Sequence, residues 1–182
     1  MQHLRPVDRL VVDVALDNMS DNYSSKPHHV SPEFNNVMAA GAKEISGRTL
    51  CCAQLGLALV LTAYVGERYY KLLFDAGPEG ALFLRNCQNL GVSLADVEAI
   101  AISHGHWDHM GALLDALDHM TRHNQGHQVP CHVNPGMFLE RGARSGGRQR
   151  LVVRGASARL QALDLGTGCG IQIATKGGQI VA

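Results

Sequence analysis

Seven consecutive residues, Ser103-His104-Gly105-His106-Trp107-Asp108-His109, constrain this chain more than any other part of it. Three imidazoles and a carboxylate sit within six adjacent positions, and neutral His and ionised Asp are side chains that divalent cations prefer. The flanks dictate how the cluster is presented. Val97 to Ile102 (VEAIAI) is a short, nearly continuous apolar run, which reads as a buried strand. Met110, Leu113, Leu114, Leu117 and Met120 then fall at helical spacing, so an amphipathic helix is expected from about His109. A strand that ends in a ligand-bearing loop and continues as a helix holds its donors between two rigid elements. The competing reading is a polar loop whose histidines are coincidental, and the rarity of His-x-His-x-Asp-His weighs against it.

The rest of the chain supplies a frame for this loop. Leu10 to Leu16 reads as a first strand, and Asn18 to Asn36, rich in Ser, Asn, Asp, Pro and His, as a long loop. Leu57 to Val65 and Tyr69 to Phe74 are apolar, β-prone runs around Gly66-Glu67-Arg68, which predicts a hairpin. After the turn Asp75-Ala76-Gly77-Pro78, Phe83, Leu84, Cys87 and Leu90 share one side of a predicted helix, and Gly91 is its natural stop. Ser93 can cap the turn that precedes the buried strand. Beyond the motif helix the spacing predicts a polar loop over His123 to Gln128, a short strand over Val129 to Val133, and a helix over Pro135 to Arg141. Strands first, then strand–helix alternation, imply a mixed sheet with helices on one face.

Composition narrows the function classes. The 182 residues, 46% hydrophobic, suffice for a single domain with a sizeable core. Lys plus Arg and Asp plus Glu balance at 16 each, so no global field selects nucleic acid or an anionic membrane. No apolar run reaches the length of a membrane span. The N-terminal stretch is interrupted by Asp8, Arg9 and Asp13 and does not read as a secretory signal. Cys51, Cys52, Cys87, Cys131 and Cys169 are odd in number and lack paired zinc-type spacing, which suits reduced thiols in a cytoplasmic protein.

The motif, with its preceding strand and following helix, resembles the metallo-β-lactamase superfamily. The segments VVDVALDNMSDNYSS, YYKLLFDAGPEGALFLRNCQNLGVSLADVEAIAISHGHWDHMGAL and CHVNPGMFLERGAR are similar to one branch of it, which includes dihydropterin–aminobenzene phosphate synthases and many metal-dependent hydrolases. The resemblance runs from about Leu10 to about Arg144 and implies an α+β fold, the αββα metallo-β-lactamase-like sandwich, incomplete in its second half. It implies that His104 and His106 ligate a first metal and Asp108 and His109 a second, with Asp108 also orienting the nucleophile as the catalytic carboxylate. Zinc is the default cofactor in two sites if the centre is complete, with Mn or Fe as alternatives for this N/O donor set. Metals so held would acidify a bridging water and polarise a small, in one version phosphorylated, substrate.

Other positions follow from the same resemblance. Asp75, in FDAG, matches a turn Asp that supports the ligand loop from behind; an Asp in a strand-ending turn is the plain alternative. Asp17-Asn18 matches an early Asp-Asn of the branch and is a candidate for substrate contact. Trp107 is expected at the rim. Gln54-Leu55-Gly56 departs from the branch, where an acidic residue and a His precede the Gly. Complete members continue to a third His, a bridging Asp and a final His, and no such second cluster follows His109 here. The expectation is therefore a single domain over residues 1–182 that corresponds to the N-terminal portion of the family domain. Its open sheet face would be covered by a homodimer partner or a complementing chain. The non-catalytic alternative is a truncated fragment or subunit that binds metal weakly.

Three further features read blandly. His119, His123 and His127 are spaced by four, but Asn124 and Gly126 argue against a helix reaching His127, so solvent-exposed histidines are expected. His132 could face the cleft but suits a structural role, and His28 and His29 carry no assignment. The Arg-rich segment 141–159, with Arg141, Arg144, Arg148, Arg150, Arg154 and Arg159, offers phosphate contacts through Arg141 and Arg144 but reads first as a solvated segment. Asp164-Leu165-Gly166-Thr167-Gly168-Cys169-Gly170 resembles the Gly-rich motif of S-adenosylmethionine-dependent methyltransferases; no acidic residue follows to hold a ribose, and a lone Gly-rich match is weak.

Overall fold

The computed structural model describes residues 5–133, 137, 141–144, 150–153 and 179–180. The predicted helix over Pro135 to Arg141 falls mostly outside these residues, although Arg141 itself is a strand residue. Arg148, Arg154, Arg159, Cys169 and the Gly-rich run 164–170 lie outside them altogether. The elements run β1 (Arg9–Leu16), α1 (Glu33–Ala39), β2 (Ala58–Val65), β3 (Arg68–Phe74), α2 (Gly80–Leu90), β4 (Ala99–Ala101), α3 (Trp107–Met110), α4 (Leu113–His123), β5 (Cys131–His132), β6 (Arg141–Arg144), β7 (Arg150–Val153) and β8 (Gln179–Ile180).

One mixed sheet has the order β1-β2-β3-β4-β5-β8, and β6 pairs with β7 separately. The β2–β3 hairpin closes from Val65 to Arg68 across Gly66-Glu67, with Gly66 at a positive φ of 58° that a tight hairpin turn needs. β1 pairs antiparallel with β2, while β3, β4 and β5 run parallel. Hence β1, β3, β4 and β5 all end on one edge of the sheet. Ligand sites of open α/β sheets collect at such an edge.

The alternation along the strands separates two faces. Val60, Leu73 and Ile100 point to a core closed by Phe83 and Cys87 of α2 and by Leu113, Ala116 and Met120 of α4, all buried. The opposite face carries Leu10, Val12 and Val14 on β1 beside Leu61 and Leu72, and these three β1 side chains stay 54%, 46% and 52% exposed. This is the apolar sheet face whose burial the sequence raised as a problem. At roughly 25 cal/mol per Å2, an apolar face of this kind represents a large unclaimed stabilisation.

Two expectations need correction. The loop expected over Asn18 to Asn36 gives way to α1 at Glu33; Glu33 accepts hydrogen bonds from Asn22 Nδ2 at 2.9 Å and from Cys51 N at 2.5 Å, and only Val37 of the helix is buried. The motif helix begins at Trp107 rather than His109 and is two helices, α3 and α4, separated at Gly111-Ala112. The cause is tertiary. Gly111 lies against Pro78, whose carbonyl oxygen would be 2.0 Å from a Cβ at that position, and Ala112 N donates to Gly77 O at 3.1 Å. The end of α2 follows the sequence closely: Gly91 adopts φ 70° and its N–H closes on the helix carbonyls.

Candidate metal centre

The turn after β3 and the loop after β4 meet at the carboxyl edge of the sheet. Asp75 N donates to Ala101 O at 2.9 Å, Ala76 N to His109 O at 2.8 Å, and Met110 bridges to Gly77. Asp75 is fully buried and holds a left-handed φ of 56°, a conformation that Asp tolerates better than most residues. Its carboxylate accepts three hydrogen bonds: from Ser103 N at 2.7 Å, from Ser103 Oγ at 2.8 Å and from His109 Nδ1 at 2.8 Å.

This arrangement determines what the imidazoles present. A hydroxyl has one hydrogen, and that of Ser103 is committed to Asp75. Ser103 Oγ lies 2.9 Å from His104 Nδ1, so it accepts there and His104 carries its proton on Nδ1. His109 likewise donates from Nδ1 to Asp75. In the neutral form both rings therefore present an Nε2 lone pair, the state a metal ligand needs, and one buried carboxylate orients both.

The four motif side chains lie near one another in pairs. The ring of His104 lies 4.5 Å from that of His106 and 4.2 Å from that of His109, centre to centre. His109 Nε2 is 3.6 Å from Asp108 Oδ2. Burial, then the neighbouring His109 and His106 charges, hold the His104 imidazole below its ordinary range, which favours the neutral form. Donor chemistry and tautomer thus fit a divalent cation. Even so, among the described residues no three His, Cys, Asp or Glu side chains are disposed to hold an ion as they stand. Two donors per metal position is fewer than the three protein ligands of ordinary catalytic zinc sites.

A third segment completes the rim. Gln54 N donates to Asp17 O at 3.1 Å and Leu57 N to Asp108 O at 3.4 Å, so residues 54–57 span from the end of β1 to the motif. Gly56, at φ 138°, makes this possible: a Cβ there would stand 2.1 Å from Asp108 O. Helix α2 secures the stretch just before it, residues 48–52, together with the end of β1. The buried Asn86 donates to Ala15 O at 3.0 Å and Cys52 O at 2.9 Å, and accepts from Cys52 N at 3.0 Å. Arg85 donates to Leu50 O at 3.0 Å and Asn89 to Arg48 O at 2.9 Å. Asn86 was not singled out from sequence; its only signal was an amide one residue from Cys87, on the side of α2 that faces the sheet.

The other candidates lie apart from the imidazoles or outside description. Asp17 and Asn18 are exposed at the end of β1, where Asp17 Oδ1 accepts from Asn18 N at 2.7 Å. His132 is exposed and pairs in register with Ala101, on the face away from the helices. Trp107 is half-buried at the start of α3. Arg141 and Arg144 form β6, and their side chains lie outside the described set. Burial pushes the thiols of Cys51, Cys87 and Cys131 up to about 12, which favours the protonated form. No described helix is long and apolar enough to cross a membrane.

Comparison with known proteins agrees with this geometry at the level of family. Among curated proteins none matches the chain. Among solved structures it is similar to a diphosphatase of the PhnP family, with 19% identity over 71% of this chain and 43% of that one, at a TM-score of 0.41. It is also similar to the MIM-2 metallo-β-lactamase, with 23% identity over 45% and 28% of the two chains and a TM-score of 0.34. For MIM-1 from Novosphingobium pentaromativorans the identity is 30% over 34% and 22%, with a TM-score of 0.27. The chain thus spans under half the length of each of these structures. The profile of the beta-lactamase superfamily domain matches residues 70–176, more than half of the 182 residues, and the chain belongs to that superfamily.

Proposed function

We propose that this chain is a metal-dependent hydrolase of a small molecule, with a phosphate ester as the favoured substrate class. The observation that carries the reading is the Asp75–Ser103–His104 and Asp75–His109 network, which commits both Nδ1 protons and leaves both Nε2 atoms as donors. His104 and His106 would hold one cation, and Asp108 and His109 a second. A bound divalent metal, zinc by default, would acidify water and draw charge from the electrophile. Asp108, whose Oδ2 lies 3.6 Å from His109 Nε2, would help to orient the attacking water. The segment 54–57 is held to that edge, with Leu57 N donating to Asp108 O. The arginines of β6 provide the guanidinium chemistry that suits phosphate oxygens.

A second reading has its own support. No set of three ligating side chains is assembled among the described residues, which favours a subunit or fragment that binds one metal weakly and has no turnover. Loading the full chain with Zn2+ or Mn2+ and assaying a generic phosphodiester separates the two. Hydrolysis that is lost in His106→Ala and Asp108→Asn supports the enzyme. Folded, metal-loaded protein without turnover on phosphoester or lactone substrates defeats it in favour of the second reading.

A further inference from the structure

The far end of α4 carries a second cluster of imidazoles that the motif does not use. His119 and His123, one turn apart, stack with ring centres 4.2 Å apart and 26° between planes. His123 Nδ1 lies 2.7 Å from His119 O, so that nitrogen carries the proton and the Nε2 lone pair stays available. His123 also lines a cleft of about 470 Å3 together with His127, Asp96 and Glu98. The ring of His127 is fixed in the same way, with Nδ1 2.6 Å from Asn124 O. His123 ends an eleven-residue helix, whose C-terminal carbonyls favour positive charge, and His119 lies one turn before it. At 1.5 Å per residue, α4 sets this cluster roughly 15 Å from its own start beside the motif.

We propose that His119 and His123 form a second, separate site for a borderline divalent transition metal such as Zn2+, Ni2+ or Cu2+. Two histidines four apart on one helical face can bind one cation between them. The carbonyl of His119 fixes the tautomer of its partner, as the outer contacts of ligating histidines do. Solvent from the open cleft fills the remaining positions. Imidazole donors select this class of ion over Mg2+ and Ca2+, which take oxygen. The proposal is independent of the activity assigned to the motif, since it shares no ligand with it.

Calorimetric titration of the full chain with Ni2+ tests it, using wild type, His123→Ala, His119→Gln and His106→Ala, each checked for native circular dichroism. Both α4 variants lose one equivalent of Ni2+, whereas His106→Ala keeps that equivalent. Excess Mg2+ does not displace it. Cu2+ at this site shows nitrogen hyperfine structure in its electron paramagnetic resonance spectrum, which His123→Ala removes. Equal stoichiometry in wild type and both α4 variants overturns the proposal, as does displacement by Mg2+.

Discussion

Replacing Asp75 by Asn tests the network behind the ligands with little change of shape. Asn tolerates the left-handed φ of 56° and keeps an oxygen toward Ser103 N. It puts an amide NH2 where Oδ2 accepts from Ser103 Oγ and His109 Nδ1, each at 2.8 Å. Both protons must then move: the hydroxyl turns to accept, and His109 moves its proton to Nε2. Two hydrogen bonds to a charged group, worth about 1.5–3 kcal/mol each, are exchanged for two neutral ones of about 1 kcal/mol, a net loss of about 1–4 kcal/mol. For a chain of this length that lowers Tm by about 2–16 °C. The rewiring also protonates the nitrogen that should face the metal, so Zn2+ affinity falls by about 10–100-fold, the usual effect of losing such support. Thermal unfolding and zinc titration read the two effects. Wild-type affinity in Asp75→Asn, with or without a lower Tm, refutes the claim that Asp75 sets the ligand tautomers.

Other perturbations follow from the same structure. Gly56→Ala forces a side chain onto Asp108 O at a φ of 138°, and backbone strain alone costs about 1–3 kcal/mol; unfolding in urea measures it, and unchanged stability contradicts the close approach. Asn86→Leu keeps the volume but strands backbone groups of Ala15 and Cys52, lowering stability by about 2–5 kcal/mol in the same assay; wild-type stability would show that the amide is not needed there. Asp96 titrates in the acid range. Partial burial pushes its carboxyl up, but the Lys71 ammonium, 2.7 Å away, more than reverses this and holds it below the ordinary value. Its contribution, up to about 1 kcal/mol for a pair this exposed, is present above the unfolded pKa of about 3.9 and is lost as pH falls through the folded pKa. The stability gap between wild type and Asp96→Asn therefore closes below about pH 4, and a gap that widens in acid contradicts the pairing.

The elements legible in the sequence are those whose signals are local. β1, the β2–β3 hairpin, α2 with its Gly91 stop and the strand before the motif all carry periodicity and punctuation within their own span. α1 was hidden because one buried residue, Val37, gives no periodicity, and its helix starts behind Pro32 in a polar stretch. The break between α3 and α4 was hidden for the opposite reason. Met110, Leu113 and Leu114 keep helical phase across it, and the interruption comes from Pro78, which lies thirty-three residues before Gly111 in sequence. The site divides in the same way. The candidate donors His104, His106, Asp108 and His109 fall within six consecutive positions and stand out locally, and Asp75 was singled out by a turn the family resemblance supplied. The pinning of Asp108 by Leu57, and of Cys52 and Ala15 by Asn86, depends on partners in separate stretches of chain. No spacing rule reports such partners.

The most direct test of the account is the protonation state of the motif imidazoles before and after zinc. Long-range 1H–15N spectra of the full chain, assigned with His104→Gln and His109→Gln, should show both rings protonated on Nδ1 in metal-free protein. Addition of Zn2+ should then shift their Nε2 resonances to metal-bound values. Rings protonated on Nε2, or Nε2 resonances that do not respond to zinc, would contradict the assignment of this edge of the sheet as a metal centre.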